Sequence, residues 1–124
     1  MAYIFQSDPS FSGVERATSA GVAAGLRFAE SIEEKGLQSR PELLRRIFFL
    51  AALASCGRIQ ALKGAKVHPV RETASADSPQ VERSDGAKKW RCMVTQKGAG
   101  YRLHYWSLPV GGIELERVLL ESEV

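Results

Sequence analysis

The sequence predicts an α+β domain in which two N-terminal helices pack on a small, mainly antiparallel sheet. Three observations point there: two capped stretches of helical periodicity in the first half, three β-rich segments in the last third, and tight-turn residues between those segments. The 124 residues form one domain, 1–124, long enough to bury roughly two-thirds of the unfolded surface and to fold without staples.

Taken in order, Ala2 to Gln6 is a short apolar run closed by Ser7-Asp8-Pro9, the pattern of a first strand and turn. Ser12 with Glu15 three residues on makes a capping box. Val14, Ala17, Gly21, Val22, Gly25, Leu26, Ala29 and Ile32 then recur at helical spacing, which predicts a helix over 13–35. Glycine inside a helix costs about 1 kcal/mol against alanine, so Gly21 and Gly25 imply another element packed closely against them. Ser39 as N-cap, Pro41 in the first turn and Glu42 open a second helix. Its buried stripe is Leu43, Leu44, Ile47, Phe48, Leu50, Ala51 and Ala54, and Gly57 is the C′ residue. Arg45, Arg46 and Arg58 stay near solvent.

From Lys66 to Lys89 only Val67, Val70 and Val81 are sizeable apolar residues, and a long loop at 66–89 is expected, disordered or ordering on a partner. Three strands follow, Lys89 to Thr95, Gly100 to Leu108 and Ile113 to Leu120. A three-residue turn with Gly111 in the left-handed region pairs Leu108 with Gly112, hence Tyr105 with Leu115 and His104 with Glu116. Alternation puts Tyr101, Leu103 and Tyr105 on the buried face and Arg102, His104 and Trp106 on the other. A guanidinium, an imidazole and an indole side by side suit phosphates and stacked bases, although His104 can equally form a plain cross-strand pair with Glu116. Trp90 shares a face with Cys92 and Val94 and is assigned to the core.

Cys56 and Cys92 lie far apart with no ligand spacing around them, so no disulfide framework and no metal site is indicated. Nor does the chain carry a nucleotide loop or a Ser/His/Asp set, and no cofactor is expected. Met1 to Pro9 lacks a signal-peptide pattern and the longest apolar run, Ile47 to Ala54, is too short to cross a bilayer, so the cytoplasm is the expected compartment, with no membrane partner. The net charge of +3 is uneven: −2 over 1–36, +8 over 37–106 and −3 over 107–124, a distribution that favours an anionic partner for the middle segment.

The order strand, helix, helix, then a three-stranded antiparallel sheet carrying Gly100-Tyr101-Arg102-Leu103-His104-Tyr105 resembles the RelE/ParE superfamily of bacterial toxins. The likeness extends over most of the chain, through Met1 to Phe5, the helical hairpin, Ala61 to Gly64, Trp90 to Val94, Gly100 to Trp106 and Ile113 to Leu119. It implies a RelE-like fold and a toxin of a toxin-antitoxin system: a ribosome-dependent mRNA endoribonuclease that needs no metal and drives a 2′-hydroxyl against the neighbouring phosphate. Arg102 matches the family's arginine on this strand, placed to stabilise charge on the phosphate, and Arg91 a basic position on the preceding strand. Lys63 falls in the basic segment that contacts RNA, with Trp106, Arg45 and Arg46 as further RNA-binding candidates. Met93 stands where the family often has a second lysine. The chain closes on Glu121-Ser122-Glu123-Val124 where the family continues to a tyrosine or histidine, which leaves His104 as the candidate proton donor. The implied partners are a cognate antitoxin and the mRNA on its ribosome. A ParE-like gyrase inhibitor and a non-enzymatic phage or mobile-element inhibitor with a basic surface are the alternatives.

Overall fold

A computed structural model of the protein describes residues 21–95 and 100–123. The elements are β1 (Val22–Ala24), α1 (Leu26–Glu34), α2 (Pro41–Ser55), β2 (His68–Pro69), β3 (Lys88–Met93), β4 (Tyr101–Ser107) and β5 (Ile113–Leu120), with short 3-10 turns at Leu37–Ser39, Ile59–Ala61 and Glu121–Glu123. They build an α+β fold around a five-stranded sheet of order β1-β5-β4-β3-β2, in which β1 runs parallel to β5 and every other pair is antiparallel.

The strand expected at Ala2 to Gln6, the box at Ser12 and Glu15, and the turn at 96–99 lie outside the described residues. The single helix over 13–35 is corrected: Val22 to Ala24 is extended and pairs with Ile113 to Leu115, and the helix starts only after Gly25. The glycines do mark a close approach, though of strand on strand. Gly25 N–H donates to Leu115 O at 3.0 Å and Ile113 N–H to Gly21 O at 2.7 Å. Small residues spaced at one helical turn read alike in both states, and here the open backbone of β5 decides between them.

α1 buries Phe28, Ser31 and Ile32. Ser31 ties it to the sheet: its hydroxyl donates to Phe28 O at 2.8 Å and accepts from Val118 N–H at 2.9 Å, which satisfies a backbone donor of β5 beyond the reach of β1. α2 begins one residue later than expected. Arg40 is the N-cap and the Ser39 hydroxyl turns back to Gly36 O, while Pro41 holds the first helical position. Its end follows the expected rule: Gly57 takes φ +71° and the N–H groups of Gly57 and Arg58 return to Ala54 O and Leu53 O, a Schellman closure. Phe28 and Phe48 meet edge to face at 6.2 Å, and the helices pack on the sheet face of Cys92, Leu103, Tyr105, Leu115 and Val118.

Residues 66–89 carry more structure than a plain loop. β2 pairs with β3, and Val70, Val81 and Lys89 are linked in a ladder by Val81 N–H to Val70 O at 2.8 Å and Lys89 N–H to Val81 O at 3.0 Å. Arg71 Nη1 donates to Ser78 O and Thr73 N–H to the buried Ser78 hydroxyl. Backbone pairing and side-chain-to-backbone bonds organise the segment, so its low apolar content gave no sign of them.

The predicted Tyr105 to Leu115 pair and the left-handed Gly111 are present, but His104 faces Arg117 and not Glu116, because a bulge intervenes between His104 and Tyr105. The cause is in β5. Leu115 and Val118 both belong to the core, separated by two polar residues, and an unbroken strand would drive Arg117 inward opposite Leu103. One extra residue, Glu116, restores the alternation.

Candidate functional site

The pairings Lys89 with Trp106, Arg91 with His104 and Met93 with Arg102 put these six side chains on the sheet face opposite the helices, and β2 adds His68 beside Arg91. At the Arg102 end Lys66, His68, Arg91, Met93, Arg102 and Glu121 line a cleft of about 370 Å³. Among these described lining residues Glu121 alone is acidic, so the cleft presents three fixed cations and an imidazole around one carboxylate.

Arg102 is held from several sides. Its Nη2 lies 3.3 Å from Glu121 Oε2 and its Nη1 donates to Tyr101 O, while the guanidinium lies over Gly100, where an added Cβ would stand 2.7 Å from Nη1. Glu121 N–H donates to Gly100 O at 2.7 Å, fixing the turn that carries the carboxylate. The Arg102 side chain is 13% exposed and that of Glu121 71%, so the carboxylate is the more accessible of the two.

His104 does not line this cleft. It is 3% exposed, and neither ring nitrogen has a hydrogen-bond partner among the described residues. Burial, reinforced by the positive charges of Lys89, Arg117 and Arg91, lowers its pKa to about 4. The ring is therefore neutral at neutral pH, and the expected proton donor is in this respect a correction: a buried, uncharged imidazole outside the cleft lining is too weak an acid to protonate a leaving oxygen there.

Trp106 lies at the other end of the face, where the Arg83 guanidinium sits 5.1 Å from its ring centroid and Lys89 Nζ 5.6 Å, so its indole already carries cations. Arg83 also binds Asp85 through two bonds, 3.0 and 2.8 Å, and Glu114 at 2.9 Å. These contacts raise the arginine's pKa, and the Arg83 hydrogen bonds hold the Asp85 carboxyl at about 2. Glu116, the bulge residue, is ringed by Arg27 at 3.6 Å, Lys89 at 3.7 Å and Arg117 Nε at 3.2 Å. At this end of the face the cations are engaged by Asp85, Glu114 and Glu116.

The remaining candidates separate. Lys63 is exposed on the turn after Ile59–Ala61 and is not among the lining residues, whereas Lys66, three positions on and held at φ +46°, is. Arg45 and Arg46 ride on α2, which packs on the core face; Arg46 lies 6.0 Å over Phe49. Trp90 is partly buried against the core and its Nε1 donates to the Ser107 hydroxyl, as its face implied. Sequence reasoning missed Lys66, His68 and Glu121. His68 was hidden in the segment taken for a loop, and its signal was a period-2 match with Val70 across from Lys89 and Arg91.

Among the described residues no three His, Cys, Asp or Glu side chains converge as metal ligands, and no helix is long and apolar enough to cross a membrane. No protein-family model, curated protein or solved structure matches the chain, and what the cleft can do follows from its own geometry and chemistry.

Proposed function

We propose that the protein binds the phosphodiester backbone of single-stranded RNA in the cleft at Arg91 and Arg102 and acts as a toxin of the RelE/ParE kind, a ribosome-dependent mRNA endoribonuclease restrained in the cytoplasm by a cognate antitoxin. The observation that carries this reading is the cleft itself: Lys66, Arg91 and Arg102 converge on one concave site with, among the described lining residues, a single opposing carboxylate. Guanidinium groups match phosphate oxygens in bidentate geometry and stabilise the added charge of a five-coordinate phosphorus. The two helices on one face of a mainly antiparallel sheet, with the Gly-Tyr-Arg-Leu strand turning Arg102 away from them, support the resemblance to that superfamily.

The test is controlled expression in a bacterium with transcript ends mapped. Wild type is expected to arrest growth and cut messages within translated codons, and Arg102→Ala to do neither. One observation favours a second reading, a non-enzymatic binder or gyrase inhibitor on the same scaffold: the neutral, buried His104 removes the proton donor expected from the sequence. Growth arrest with intact messages selects that reading, and harmless wild type refutes the toxin.

A further inference from the structure

We infer that Glu121 and His68 are the general base and general acid of RNA cleavage in this cleft, an assignment that rests on the proposed endoribonuclease reading. Transesterification of a phosphodiester needs a group to take the 2′-hydroxyl proton, a group to protonate the leaving 5′-oxygen, and cations on the non-bridging oxygens. Among the described lining residues Glu121 is the one carboxylate and His68 the one imidazole, the side-chain types that serve most often as general base and general acid. They reach the cleft from elements on different sides of Arg91 and Arg102: Glu121 from the turn after β5, His68 from β2 at the opposite edge of β3.

Their settings differ in the way the roles require. Glu121 Oε2 stands 3.3 Å from Arg102 Nη2, and its side chain, 71% exposed, is open to a ribose hydroxyl. His68 lies opposite Arg91 on an exposed strand position, so a phosphate bound by Arg91 is within its neighbourhood. In the step, the 2′-oxygen attacks phosphorus as its proton passes to the Glu121 carboxylate. The bond from phosphorus to O5′ breaks as the His68 imidazolium gives its proton to O5′. The products are a 2′,3′-cyclic phosphate and a 5′-hydroxyl, with no oxidant, reductant or water consumed, and exchange with solvent returns both groups to their starting forms.

The experiment follows labelled mRNA in a translating bacterial extract, and the same RNA free in buffer for affinity, with wild-type protein, His68→Gln and Glu121→Gln. Each variant should cut about 100-fold more slowly or worse while binding RNA within about three-fold of wild type, Glu121→Gln the tighter for its lost negative charge. Glu121→Asp should recover part of the rate that Glu121→Gln loses. Cleavage by both Gln variants at the wild-type rate, or product ends other than a cyclic phosphate, overturns the assignment and leaves the toxin reading standing. Wild type that binds RNA without cutting it overturns both.

Discussion

At the scale of single residues, one face of the sheet holds two histidines in opposite circumstances. His68 is exposed beside Arg91, while His104 is enclosed among cations with its pKa lowered to about 4. A depressed histidine pKa means that the unfolded chain binds the proton more readily. Stability is therefore full above the ordinary value near 6.5 and falls as pH drops from there toward 4, by an amount of up to about 3 kcal/mol from this group. Chemical denaturation between pH 7 and 4 should show that loss, and His104→Gln should flatten it while leaving RNA affinity unchanged. Retention of the full acid sensitivity in the variant would contradict the role given to this ring. The two thiols differ in the same physical way. Burial pushes Cys92 up to about 12, whereas Cys56 is exposed at the end of α2, so a thiol reagent should label Cys56 alone in the folded protein and both on unfolding. Alternation alone placed Arg102 on the face turned away from the helices, and Arg91 came from the resemblance. The sequence reading misjudged His104 because alternation names a face without telling how deeply a side chain on it is buried or that Lys89, Arg91 and Arg117 would be the charges near it.

Among the elements, β5 organises the fold, since β1, β4 and α1 all attach to it. Gly112 lets β1 approach: it sits at φ +79°, and a Cβ there would lie 2.6 Å from Gly21 O. Gly112→Ala should destabilise the protein by about 1–3 kcal/mol through combined strain and displacement of β1, read as a lower denaturant midpoint. Ser31→Ala should cost about 1–3 kcal/mol, because it leaves the Val118 N–H without its acceptor, whereas Ser39→Ala, at an exposed hydroxyl on a turn, should stay within about 0.5 kcal/mol. Equal effects of the two serine substitutions would contradict the anchoring role of Ser31. The helix end at Gly57 and the hairpin turn at Gly111 were legible because glycine there meets a local demand for positive φ. The start of α1 and the bulge at Glu116 were not, because both answer to pairing partners distant in sequence. The doubled polar step Glu116-Arg117 between Leu115 and Val118 is nonetheless the mark a bulge leaves.

For the molecule as a whole, the excess positive charge of the middle segment is divided by the fold into unlike regions. Arg45 and Arg46 go to α2 on the core side of the sheet, Arg83 and Lys89 are engaged around Trp106, Glu114 and Glu116, and Arg91, Arg102 and Lys66 converge on the cleft. Net charge alone cannot tell these apart, which is why the sequence nominated Arg45 and Arg46 alongside the cleft residues. The fold makes distinct predictions for them. The most direct measurement is the affinity for labelled single-stranded RNA across a salt series, for wild type, Arg91→Ala/Arg102→Ala and Arg45→Ala/Arg46→Ala. If the cleft is the RNA site, the first pair should lose about 100-fold or more in affinity, with a shallower salt dependence by about 0.7 per lost phosphate contact, and the second pair should stay near wild type. RNA binding that survives loss of Arg91 and Arg102 and fails with Arg45 and Arg46 would contradict the cleft and place the contact on the helical side.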